Sequence, residues 1–180
     1  MSTTKSNIKQ KHKYFMKLAY HQASKILGNT GPNPAVGCVV VKNNILIGLS
    51  HTYFNGRPHA ERIVLSNKKI DFRNSLMYST LEPCGHFGKT SPCTNIIKEK
   101  KIKSVYFSKH DPDKRSFKKA KKILSKYNIK TFDKIYESLG NTFYKDYYIK
   151  KNSKNIFITS KLATSKDLFI SDKYNKWITN

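Results

Sequence analysis

Acid is scarce in this chain of 180 residues: 11 Asp and Glu stand against 35 Lys and Arg, a formal net charge of +24 at neutral pH. Such an excess brings nucleic acid, an anionic membrane or an acidic small molecule into view as partners. The lysines, however, run along the whole chain without gathering into one block, as filler at solvent-facing positions would, so nucleic acid is the lesser expectation despite the charge. Cysteine is also sparse. Three thiols, an odd number, do not make a disulfide framework and fit a reducing compartment. No stretch approaches the ~18 apolar residues of a membrane span, and residues 1–13 lack the apolar core of a secretory signal. The expectation is a soluble, cytoplasmic protein without a membrane partner. Its length suits one well-buried domain and a remainder, and no internal repeat divides it.

What is present concentrates between His59 and Cys93. The stretch opens with Pro58-His59-Ala60-Glu61 and closes with Leu81-Glu82-Pro83-Cys84-Gly85-His86-Phe87-Gly88-Lys89-Thr90-Ser91-Pro92-Cys93. One imidazole and two thiolates suit zinc, and a catalytic zinc takes three protein ligands with the fourth position left for water. Glu61, two residues past the histidine, can face that water from a helix without binding the metal. His-x-Glu followed by Pro-Cys and a second cysteine is the zinc-deaminase pattern, in which the glutamate moves protons. Here eight residues separate Cys84 from Cys93, where that pattern has two.

The rest of the chain supplies a scaffold for these residues. Residues 1–12 read as a solvated arm, and residues 13–27 as an amphipathic helix stopped at Gly28. Gly31-Pro32-Asn33-Pro34 forces a loop. Apolar runs at residues 35–41 and 45–49, separated by Asn43-Asn44, predict a hairpin. Residues 59–65 predict a helix; residues 76–80 predict a strand whose carboxyl end delivers Cys84, where open α/β sheets place their ligands. A helix over 94–101, a strand over 104–108, a lysine-faced helix over 116–127, a strand over 129–132 and one helix over 133–150 complete an α/β layered domain, 13–150. Residues 151–180 read as a linker followed by a strand-like run, Ile156-Phe157-Ile158-Thr159, and a lone Trp177, too short to bury a core.

The residues alone leave choices open. A catalytic zinc on His59, Cys84 and Cys93 gives Glu61 a purpose; a structural zinc would want a fourth ligand, which His86 could supply. Cys38, inside a valine run, reads as a buried small side chain. His51, His86 and Lys89 are either solvated loop residues or holders of a phosphate or polar ring.

At these positions the sequence resembles the deaminase domain of riboflavin biosynthesis, diaminohydroxyphosphoribosylaminopyrimidine deaminase, a member of the cytidine deaminase-like superfamily. Gly31-Pro32-Asn33-Pro34-Ala35-Val36-Gly37-Cys38-Val39-Val40-Val41 resembles its early signature, and the long gap between cysteines is similar to its second metal motif. The resemblance implies a three-layer α/β/α fold around a mixed, roughly five-stranded sheet. It further implies zinc on His59, Cys84 and Cys93, Glu61 as proton shuttle, and substrate contacts from Asn33, His51 and Lys89. The implied reaction is hydrolytic deamination of a phosphoribosylated diaminopyrimidinone to the aminouracil and ammonia; a homo-oligomer is compatible with it. Three places depart from that family's pattern: Arg62-Ile63 after Glu61, a longer loop between His51 and His59, and Lys114-Arg115-Ser116-Phe117 in place of a glycine-rich segment. Residues 157–167 and 176–179 resemble the start of the reductase domain of the bifunctional form. About thirty residues cannot make a dinucleotide-binding domain, so neither reductase activity nor a nicotinamide cofactor is expected. Two other readings stand beside this one: a base deaminase acting on transfer RNA or other nucleic acid, and a decayed domain that keeps zinc for its fold.

Overall fold

The computed structural model describes residues 2–153 together with 160, 162–166 and 168, the backbone alone being described for 2–9. The elements run α1 (Ser2–Ser24), β1 (Gly37–Lys42), β2 (Ile45–His51), a short 3-10 turn (Phe54–Gly56), α2 (Ala60–Leu65), β3 (Leu76–Leu81), α3 (Cys93–Glu99), β4 (Ser104–Lys109), α4 (Lys119–Ser125), β5 (Lys130–Phe132), α5 (Glu137–Phe143) and α6 (Lys145–Asn152). The five strands form one sheet in the order β2-β1-β3-β4-β5. β1 is antiparallel to β2 and β3, whereas β3, β4 and β5 are parallel. The sheet is mixed for a local reason. Asn43 and Asn44 both take positive φ, the backbone of a tight hairpin, whereas β3 to β5 are linked through α3 and α4, the crossovers that parallel neighbours need.

Side-chain alternation along β1 divides the two helical layers. A Cβ on Gly37 would lie 1.8 Å from Ala19 O, so α1 rests its backbone directly on that face. On the opposite face, a Cβ on Gly48 would meet Val64 at 2.6 Å, which places α2 there. The buried side chains Met16, Ala19, Val39, Tyr78, Leu65, Ile97, Val105 and Leu124 fill the space on either side of the sheet. This is the three-layer α/β/α fold that the strand and helix alternation leads one to expect.

Two expectations about helices change. The helix at the N-terminus does not begin at residue 13: α1 starts at Ser2 and takes in the expected arm. Its continuation is tied down at His12, whose Nδ1 lies 2.9 Å from the Tyr78 hydroxyl and whose ring stacks on Tyr106 at 4.3 Å. Tyr106 itself stacks between Tyr78 and Phe132, one aromatic from each of β3, β4 and β5. The expected single helix over 133–150 is two helices broken at Tyr144. The buried Tyr144 hydroxyl donates to Ala35 O at 2.9 Å and meets Thr80 Oγ1 at 2.6 Å, and holding that ring inward fixes the break. α6 runs through residue 150, the expected domain boundary, to Asn152. The strand-like run at 156–159 and Trp177 lie outside the described residues. Among the described residues, no helix is long and apolar enough to cross a membrane.

Candidate metal centre and cleft

Three element ends meet at one point. Pro58 leads into α2, and His59, with extended backbone, is its N-cap. Glu61 follows in the first turn, where a carboxylate is favoured by the helix dipole, and it is buried. Ser50 on β2 holds this helix start through Oγ–H to Ala60 O, 2.7 Å. Cys84 follows the carboxyl end of β3, and Cys93 is the first residue of α3. The main chain locks the two cysteines together: the Cys93 N–H donates to Cys84 Sγ at 3.2 Å, and the Thr94 N–H to Cys84 O at 3.2 Å.

The donor atoms of His59, Cys84 and Cys93 all lie within 4.8 Å of one another. His59 Nδ1 is 3.6 Å from Cys84 Sγ and 3.4 Å from Cys93 Sγ. Tetrahedral zinc, with its usual bonds to sulfur and imidazole nitrogen, sets an N to S separation of about 3.5 Å. Both the donor set and its spacing therefore fit zinc. Glu61 stands beside this trio, not within it: Oε2 is 3.5 Å from Cys93 Sγ, and Oε1 accepts from Ser79 Oγ at 3.4 Å.

The electrostatics are those of a buried, strongly interacting set. Hydrogen bonds from Cys93 and His59 hold the Cys84 thiol below the usual thiol range. Cys93, hydrogen-bonded to Cys84 and buried, is pushed up. His59 is pushed up by its bond to Cys84, and burial raises the Glu61 carboxyl. Cys38 is fully buried under the site, consistent with its reading as a packing residue.

The site opens into a cleft of about 600 Å³, its mouth included. His59, Glu61 and Cys84 form the floor, and Asn33, Thr52 and His86 line its walls. Asn33 donates from Nδ2 to Gly56 O at 3.2 Å, across the loop that carries Arg57. His51 and Lys89 are not among the lining residues. The ring of His51, at the end of β2, places Nδ1 2.9 Å from Thr52 O, and Lys89 is exposed on the loop between the two cysteines. Arg62, at one of the departures noted in the sequence, donates to Ser91 O at 2.9 Å and so braces that same loop.

Four features of the cleft were not singled out from the sequence. Glu82 is buried, and its carboxylate accepts the N–H groups of Lys118 and Ala120, each at 3.0 Å, and lies 2.8 Å from His110 Nδ1. It therefore caps the entry to α4 from the strand next door. Asp111 accepts from the Tyr147 hydroxyl at 3.3 Å. Arg57 and Arg115 also line the cleft. The available signals were two charged residues beside the motifs, Glu82 wedged between Leu81 and Pro83 and Arg57 two residues before His59; Asp111 and Arg115 come from a segment remote in sequence.

Residues 9–109 match the family model of the cytidine and deoxycytidylate deaminase zinc-binding region, a span that includes His59, Glu61, Cys84 and Cys93. The chain belongs to this deaminase family. Within it, the chain is 35% identical over 175 residues to the riboflavin biosynthesis protein RibD of Aquifex aeolicus, covering 96% of this chain and 49% of the relative. It superposes with a TM-score of 0.81 and 34% identity on a Thermotoga maritima protein described as a diaminohydroxyphosphoribosylaminopyrimidine deaminase and 5-amino-6-(5-phosphoribosylamino)uracil reductase, covering 96% of this chain and 50% of the other. A transfer-RNA adenosine-34 deaminase shares the fold at 19% identity and a TM-score of 0.54. The deaminase chain spans about half the length of the curated relatives it matches.

Proposed function

We propose that this chain hydrolytically deaminates a phosphoribosylated diaminopyrimidinone, giving the aminouracil and ammonia, as the deaminase half of a riboflavin-forming enzyme in the cytoplasm. The observation that carries the reading is the zinc-spaced trio of His59, Cys84 and Cys93 with a buried, non-ligating Glu61 beside it, His59, Cys84 and Glu61 lining an open cleft. The likeness of nearly the whole chain to RibD proteins supports the choice of substrate. Zinc held there supplies the Lewis acidity that makes water reactive at neutral pH.

The protein's own residues do the rest. Water adds to the amidine carbon, and the Glu61 carboxylate accepts a proton from it. The carbon–nitrogen bond breaks as Glu61 returns that proton to the departing amine, so one water is consumed and one ammonia released. Burial raises Glu61, which makes its carboxylate a stronger base, and Ser79 Oγ orients it from β3. Asn33 on the cleft wall is the substrate contact this reading retains from the sequence; Lys89 and His51 would have to reach in from outside the lining. Purified protein should carry about one zinc per chain, the stoichiometry of a three-ligand catalytic site, and release ammonia from the phosphoribosyl substrate. Metal-loaded protein that leaves this substrate untouched, or converts adenosine in transfer RNA instead, would overturn the proposal.

A further inference from the structure

The residues that replace the glycine-rich segment place a guanidinium at the mouth of the cleft. Arg115 and Lys151 line the same cleft as His59 and Cys84, although 35 residues separate them in sequence. Both meet Asp113: Arg115 at 2.6 Å and Lys151 at 3.8 Å, on the same carboxylate oxygen. One carboxylate cannot neutralise two cations. Asp113 is ionised there, the Arg115 guanidinium holding its carboxyl well below the usual range, so these three groups by themselves carry one net positive charge; Asp111, lining the same cleft, is a second carboxyl, and burial pushes it up toward its neutral form. A third cation, Arg57, lines the cleft as well and donates from Nη1 to Thr90 Oγ1 at 2.9 Å.

The geometry at Arg115 is that of a prepared anion binder. Its Nε–H donates to Asp113 Oδ1 at 2.9 Å and its Nη2 to Oδ2 at 2.6 Å. This two-point contact fixes the guanidinium plane and leaves three of the five N–H donors unspent, on a side chain still two-thirds exposed. Planar, fixed donors of this kind match a phosphate. The loop is held as well: His86 Nδ1, from the segment between the cysteines, lies 2.9 Å from Ser116 Oγ. On the other side Tyr147, one turn before Lys151 on α6, donates to Asp111. The guanidinium is thereby fixed relative to the metal ligands through Ser116 and His86.

We infer that Arg115 and Lys151, set around Asp113, form the subsite for the substrate's phosphate in this chain. The inference rests on the proposed reaction for the identity of its ligand. It makes the departing segment a specificity device and gives α6 a part in the deaminase cleft.

The test uses the zinc-loaded full chain and two pairs of measurements. Turnover of the phosphoribosyl substrate is compared with turnover of its phosphate-free riboside, and ribose 5-phosphate binding is measured by calorimetry. Loss of one charge-assisted contact corresponds to about tenfold in affinity. Arg115→Ala should lower the preference for the phosphorylated substrate by about tenfold and weaken ribose 5-phosphate binding equally, with Lys151→Ala doing so to a smaller extent. Arg115→Lys should recover only part, because charge returns without the two-point fork. An unchanged preference in both alanine variants, or a loss of preference in Lys89→Ala alone, would overturn the inference. If neither substrate is turned over, the proposed reaction fails, and calorimetry still decides the subsite: wild-type binding that Arg115→Ala weakens upholds it, and binding that is absent or unaltered sinks it.

Discussion

At the floor of the cleft and just beneath it, His59 and Cys93 sit at the starts of two short helices and Cys84 just beyond a strand; Cys93 is buried, the other two are half-buried, and main-chain hydrogen bonds hold them in place. At its rim, Arg57, Arg115 and Lys151 come from three separate segments, and side-chain contacts at the surface hold them. The contrast shows how such a fold divides labour. A floor built from helix starts can hold ligand atoms to within tenths of an ångström, as reaction chemistry requires. A rim built from loops and the end of a helix can exchange one charge for another while the sheet stays intact, as substrate choice requires.

The sharpest way to break this division is to change chemistry at the floor without touching the ligands. Glu61→Gln keeps the shape and the hydrogen bond from Ser79 but removes the proton acceptor. Turnover should fall by about 10²–10⁴-fold, the usual contribution of a positioned acid–base group, while zinc content by mass spectrometry stays at the wild-type level. Zinc lost along with activity would instead make Glu61 a ligand, and the floor would have four protein donors.

The same contrast explains what could be read from the sequence. Spacing fixed the floor residues in advance, because a helix start and a strand end are local features: His59 at an N-cap, Glu61 two residues on, Cys93 opening α3. The strands were legible for the same reason, each being a short apolar run bounded by turn residues, and all five formed within two residues of expectation. The break at Tyr144 was not legible, since it depends on a hydroxyl bonded to Ala35, 109 residues away. The extension of α1 depends likewise on His12 reaching Tyr78 and Tyr106 across the sheet. The rim was hidden because its members meet only once α6 and the loop after β4 have packed. Glu82 was visible as a residue but not as a partner: its acceptors' counterparts, Lys118 and Ala120, are more than thirty positions away.

Glu82 joins the two regions, and its removal should produce the next largest effect. Glu82→Ala leaves two backbone N–H groups at the start of α4 and the His110 imidazole without their buried acceptor. The expected cost is about 3 kcal/mol of folding stability, read as a lower denaturation midpoint of the zinc-loaded protein. Glu82→Gln retains an acceptor oxygen and should recover part of it. Equal stability of wild type and Glu82→Ala would show that the entry to α4 finds other partners and that the loop before it is held from the rim alone.

The smallest effect should come from the rim itself. Tyr147→Phe deletes one hydroxyl, the donor to Asp111 at 3.3 Å, and leaves the ring packed against Tyr144 and Tyr148. Burial already pushes the Asp111 carboxyl up, and the Tyr147 hydrogen bond is among the interactions opposing that rise. Losing it should cost about 1 kcal/mol of stability. Because Asp111 stands two residues from Asp113, whose N–H it accepts at 3.0 Å, the loop carrying Arg115 should loosen with it. The Michaelis constant for the phosphorylated substrate should rise a few-fold, within the factor of ten that ~1.4 kcal/mol represents, with kcat near the wild-type value. That pattern is the signature of lost binding shared by the ground and transition states. A fall in kcat at constant KM would mean that the rim governs alignment at the metal as well, through His86 and the loop between the cysteines, and the separation between chemistry below and selection above would no longer describe this cleft.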